Sequence, residues 1–111
     1  MADDSIPARF RRSPRALALG REVPIAAGVR TRLLGLAGLP REGAGPGLLI
    51  PRCAAVHTFG MRFALDLYFL DATGEPLAVA LGVPGRRFVR HRGAAAVLEI
   101  PSSANSNRAP G

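Results

Sequence analysis

The sequence predicts a mainly β domain, a small barrel or sandwich of roughly five to eight short strands with one short α-helix. Three observations carry this. Residues 63–70 and 76–83 are apolar, β-rich runs joined by Asp71-Ala-Thr-Gly74-Glu75, whose Asp and Gly suit a hairpin loop with Gly74 at positive φ. Residues 94–100 form another apolar run, stopped by Pro101. Runs of this kind recur at roughly ten- to fifteen-residue intervals with turn chemistry between them, and only one stretch has helical spacing.

Taken in order, residues 1–15 are polar, Arg-rich and broken by Pro7 and Pro14, and are expected to be a mobile leader. Leu17, Leu19, Val23 and Ile25 then recur at even spacing, which predicts an early strand, placed at an edge by Pro24. Val29, Leu33, Leu36 and Leu39 follow at three- and four-residue spacing. They predict an amphipathic helix near 29–38, closed around Gly38 and Pro40. Residues 41–47 read as a linker, because Gly43, Gly45 and Gly47 lack the helix and Lys-Ser/Thr of a phosphate cradle. Leu48-Leu49-Ile50 is a short strand ending at Pro51, and residues 102–111 are low-complexity and expected to be disordered. A single β-domain thus spans 16–101 of the 111 residues, and a chain of this length buries roughly 60 to 70 % of its unfolded surface.

All fifteen basic residues are Arg, and the formal net charge is +7. Such a composition follows from a GC-rich coding sequence without selection for a polyanion, so the charge alone says little about partners. Its distribution says more. Residues 1–45 carry +4, 46–83 carry −1 and 84–111 carry +4, which leaves the core segment near neutral. The lone cysteine excludes an internal disulfide framework, and no apolar run resembles an export signal or a membrane span. A cytoplasmic location with no membrane partner is expected.

The segment 53–71 holds the candidate chemistry. Cys53 and His57, with Asp66 as a third group, could ligate a metal. They could also act as a thiol nucleophile, base and orienting carboxylate, with Arg52 and Arg62 favouring the thiolate. The alternative is a half-buried thiol and a hydrogen-bonded His. Asp66 interrupts an apolar run, and a carboxylate there must be paired, either as a turn cap, as an anchor for Arg62, or as a ligand contact. Arg86, Arg87, Arg90 and Arg92, interleaved with Phe88 and His91, form a basic patch that suits either phosphate contact or a solvated edge strand.

Several motifs together resemble the domain-of-unknown-function family 192, small bacterial and archaeal domains, over about residues 28 to 101. They are Arg32-Leu33-Leu34-Gly35-Leu36, Gly47-Leu48-Leu49-Ile50-Pro51, His57-Thr58-Phe59-Gly60-Met61-Arg62, Asp66-Leu67-Tyr68-Phe69-Leu70-Asp71 with Gly74, and Val97-Leu98-Glu99-Ile100-Pro101. Ala64 stands where that family usually has Pro and Leu48 where it has Met. The tail after Pro101 lacks the family's Gly-rich turn and last strand, which implies an open sheet edge. The resemblance implies a fold and no known activity, and because other members carry Trp at the position of His57, it implies no universal His chemistry.

No catalytic constellation is complete. The expected function is therefore a non-catalytic accessory or small-ligand-binding module, without a cofactor, that takes a small polar or anionic ligand in an apolar pocket rimmed by His57, Arg62 and Asp66. The alternatives are a metal- or thiol-dependent enzyme at Cys53, His57 and Asp66, and weak, sequence-independent nucleic-acid binding through Arg86, Arg87, Arg90 and Arg92.

Overall fold

The computed structural model describes residues 6–103, without the side chains of Val29, Arg30 and Leu33. Its elements are β1 Arg15–Ala18, β2 Arg21–Pro24, α1 Val29–Leu34, β3 Leu48–Pro51, β4 Ala55–His57, β5 Leu65–Leu70, β6 Pro76–Val83, β7 Phe88–Arg90 and β8 Ala96–Pro101. β1 pairs with β2, β4 pairs with β7, and a four-stranded antiparallel sheet runs β3-β8-β5-β6. The mainly β class with one short helix is as the sequence predicted. The sheets do not close into a barrel.

Period-2 alternation explains the core. Along β5 and β8, Leu65, Leu67, Phe69 and Val97 face one side and join Phe10, Leu36, Leu48, Ile50 and Val56 in the main cluster. Leu70 and Leu98 face the other side and pack on Val23 and Ala18 from the first hairpin. Both faces of these central strands are covered, so their sequences read as nearly continuous apolar runs. Each fully buried Leu or Phe there contributes roughly 1.5–3 kcal/mol. No helix among the described residues is long and apolar enough to cross a membrane.

Four expectations change. The even-spaced run at 16–25 is a hairpin, not one strand, because Leu19 and Gly20, at φ 49° and 80°, make a two-residue turn. α1 stops at Gly35, whose φ of 51° breaks the helix three residues before Gly38. The leader is packed from Ile6 onward, since Phe10 is fully buried in the main cluster and Arg9 donates to the Gly35 carbonyl at 2.8 Å. One aromatic outweighs the polar residues around it; residues 1–5 lie outside the described residues. At the other end Ser102 is buried, and its N–H donates to the Ala64 carbonyl at 2.9 Å. The rest of the expected disordered tail, 104–111, lies outside the described residues. β8 itself is internal, flanked by β3 and β5, so the sheet's edges fall on β3 and β6.

Candidate functional site

β5 and β6 fall out of register opposite Asp66: Leu65 faces Val83, but Leu67 faces Ala80. The extra residue on β6 is accommodated by Gly82 at φ 63°, a bulge conformation that favours glycine. Gly82 N–H loses its ladder partner there and donates instead to Asp66 Oδ1 at 2.8 Å. Asp66 thus closes a bulge. Arg62 is exposed and donates to the Gly38 carbonyl at 3.3 Å, so the two are held by separate backbone groups.

His57 ends β4 with its side chain exposed, and its Nδ1 accepts from the Phe59 N–H at 3.2 Å. Thr58, next to it, is fully buried. Its hydroxyl donates to the Pro84 carbonyl at 2.7 Å and accepts from Arg87 N–H at 2.8 Å, while its N–H donates to the Arg87 carbonyl at 2.8 Å. This one side chain ties the 57–61 loop to the start of β7. Cys53 is half-buried, and its thiol donates to the Ala55 carbonyl at 3.1 Å. Among the described residues no three His, Cys, Asp or Glu side chains gather as a metal site. Arg86, Arg87, Arg90 and Arg92 are all exposed, Arg90 in β7 and the others on its flanks, and among the described residues β7 pairs with β4 alone.

Cys53 and His57 do share a cleft of about 240 Å³, which opens between α1 with its following turn, β3, β4 and the 57–61 loop. Apolar groups from Leu36, Ile50, Val56 and Met61 form its walls, and the exposed rings of Phe59 and Phe88 stand at its mouth. Phe88 reaches it because β4 and β7 pair His57 with Phe88. Gly60, at φ 82°, lets the loop approach α1's turn: a Cβ there would sit 3.3 Å from Ala37 Cβ, and Gly38 N–H donates to the Gly60 carbonyl at 3.0 Å. Neither Arg62 nor Asp66 lines this cleft.

Sequence reasoning missed the residue that most distinguishes the cleft. Glu99 lines it from β8, between Leu48 of β3 and Leu67 of β5, and is only 4 % exposed. A Cβ on Gly35 would lie 3.5 Å from Glu99 Oε1, which places the carboxylate directly beneath α1's end. Among the described residues nothing hydrogen-bonds or ion-pairs with that carboxylate, and burial pushes its pKa up to about 7. Arg32, also in the cleft, donates to the Pro51 carbonyl at 2.5 Å and the Arg52 carbonyl at 3.4 Å. The signal was available, since Glu99 interrupts an apolar strand as Asp66 does.

No protein-family model and no curated protein matches the sequence. Two solved structures share the fold. A protein of unknown function from Novosphingobium aromaticivorans DSM 12444 superposes with a TM-score of 0.59 at 17 % identity, covering 83 % of this chain and 74 % of its own. A Sinorhizobium meliloti 1021 protein, provisionally described as a transcription regulator, superposes with a TM-score of 0.62 at 19 % identity, covering 83 % and 81 %. At such identities the likeness carries the fold alone.

Proposed function

We propose that this domain is a non-catalytic small-molecule-binding module whose site is the Glu99 cleft. The observation that carries the reading is an almost fully buried carboxylate, without a partner among the described residues, facing a cleft with mainly apolar walls. Buried polar groups are otherwise hydrogen-bonded almost without exception, and unpaired ones concentrate at functional sites. A pocket that is mostly apolar with a few convergent polar groups is the usual form of a small-molecule site. The proposed site keeps His57 from the sequence-based expectation and has Glu99 in place of Arg62 and Asp66.

Membership in the domain-of-unknown-function family 192 belongs to the same proposal. Four of the motifs that carry the resemblance contribute to one cleft: Arg32, Gly35 and Leu36 from the first, Ile50 from the second, His57, Phe59 and Met61 from the third, and Glu99 from the last. A cytoplasmic location fits the single free cysteine. From its basic patch the protein should contact nucleic acid weakly and with strong salt dependence.

A thermal-shift screen with small-molecule fragments, followed by amide-shift mapping, tests the reading. A ligand at about 100 times its Kd adds roughly 2.7 kcal/mol, and its shifts should centre on Gly35, Leu36, Val56 and Glu99. A screen with no stabiliser, or hits that map around Arg62 and Asp66, would contradict it.

A further inference from the structure

Resting on that reading of the cleft, we infer that its ligand is a small organic cation, an amine with an apolar body, held by Glu99 at the floor and by the rings of Phe59 and Phe88 at the mouth. An ionised carboxylate accepts hydrogen bonds and donates none, so whatever satisfies Glu99 from the cleft must be a donor. A buried charge is stable only when paired, and an ammonium supplies the charge and the hydrogen bond together. Leu36, Ile50, Val56 and Met61 make the wall mainly apolar, which suits a ligand with an apolar body. The mouth adds an independent preference: Phe59 and Phe88 are 55 % and 66 % exposed, and aromatic faces attract cations over anions.

The remaining charged or titratable groups facing the cleft are Arg32 from α1, Cys53, and His57 from β4. Glu99's neighbours on β3 and β5 are the apolar Leu48 and Leu67. Arg32 would oppose a cation, but its guanidinium is directed at the Pro51 and Arg52 carbonyls. Arg87, which precedes Phe88 at the mouth, is exposed, and salt screens such a charge beyond about 8–10 Å.

The test compares benzylamine, benzyl alcohol and benzoate, which share one apolar body, by amide-shift titration of the full chain at about pH 8, where a group titrating near 7 is ionised. Benzylamine should bind about tenfold or more tighter than the alcohol, the effect of a hydrogen bond to a charged acceptor, and benzoate should bind most weakly. The amine preference should shrink several-fold as the pH falls from about 8 to about 5.5 and Glu99 takes up a proton. Glu99→Gln should abolish both the preference and its pH dependence. His57 also faces the cleft, so the titration is repeated in His57→Gln, where the pH dependence should persist whatever happens to the overall affinity. Equal binding of amine and alcohol, or a preference that survives in E99Q, overturns the inference while leaving a ligand cleft. If none of the three binds, this inference falls, while the fragment screen decides the cleft reading separately. The wild-type pH series decides the matter even if E99Q does not fold.

Discussion

Asp66 and Glu99 sit on adjacent strands of the same sheet, each a single carboxylate in an otherwise apolar run, and they have opposite fates. Asp66 is half-buried and takes the one amide that the β5–β6 bulge sets free. Glu99 is almost fully buried in the main core face and takes nothing among the described residues. The first carboxylate repairs a defect in the ladder. The second is itself the defect, placed where a cleft can bring it a partner. A carboxylate in a strand is therefore informative through its neighbours' register: a nearby glycine able to form a bulge offers an amide, while apolar partners such as Leu48 and Leu67 offer none.

The comparison predicts opposite signs. Glu99→Gln should stabilise the free protein at about pH 8. A rise from 4.5 to about 7 corresponds to roughly 3 kcal/mol of penalty on the ionised form. The sign follows because the folded state holds its proton longer than the unfolded chain. Wild-type stability therefore falls as pH rises from 4.5 to about 7 and levels off above; urea unfolding across that range should show the fall in wild type and not in E99Q. Asp66→Ala should instead destabilise by about 1–2 kcal/mol, by stranding the Gly82 amide, while Asp66→Asn, which keeps an acceptor, should recover much of that loss. Equal signs for E99Q and D66A would erase the distinction.

Gly82→Ala sharpens the Asp66 half. Its Cβ would meet nothing within 4 Å, so the expected loss of about 1 kcal/mol comes from the φ of 63° alone. A loss much larger than this would show that the bulge is also packed. Asp71 provides the smallest effect. Its carboxylate accepts from the Thr73 hydroxyl at 2.7 Å, Thr73 N–H at 2.8 Å and Glu75 N–H at 3.0 Å, which hold its pKa below the ordinary 3.8. A lowered pKa contributes stability at neutral pH that is lost as pH falls below 3.8. Asp71→Asn should therefore be slightly less stable at neutral pH and lose less on acidification, as seen in acid-unfolding curves.

How much of this was legible follows residue types. The hairpin around Asp71 and Gly74, the strand before Pro51 and the β8 run were readable, because alternation and turn residues act locally. The Leu19-Gly20 turn was hidden because Leu19 carries no turn signal, and α1's end because Gly35 breaks it over a carboxylate sixty-four positions away in sequence. His57 and Cys53 were placed in a shared cleft, whereas Arg62 and Asp66 were drawn off by the Gly38 carbonyl and Gly82 amide. Such partners depend on tertiary register, which spacing along one chain does not encode. Thr58 was read only as a motif letter, although its hydroxyl joins two loops.

The pKa of Glu99, followed by the chemical shift of its side-chain carboxyl carbon, tests the central claim most directly. In the free protein it should titrate at about 7, and saturating benzylamine should move it downward, because a cation beside the carboxylate favours the ionised form. A free-protein value near 4.5, the ordinary value for Glu, or one that benzylamine leaves unmoved, would show that Glu99 is already partnered and that the cleft is not built around it.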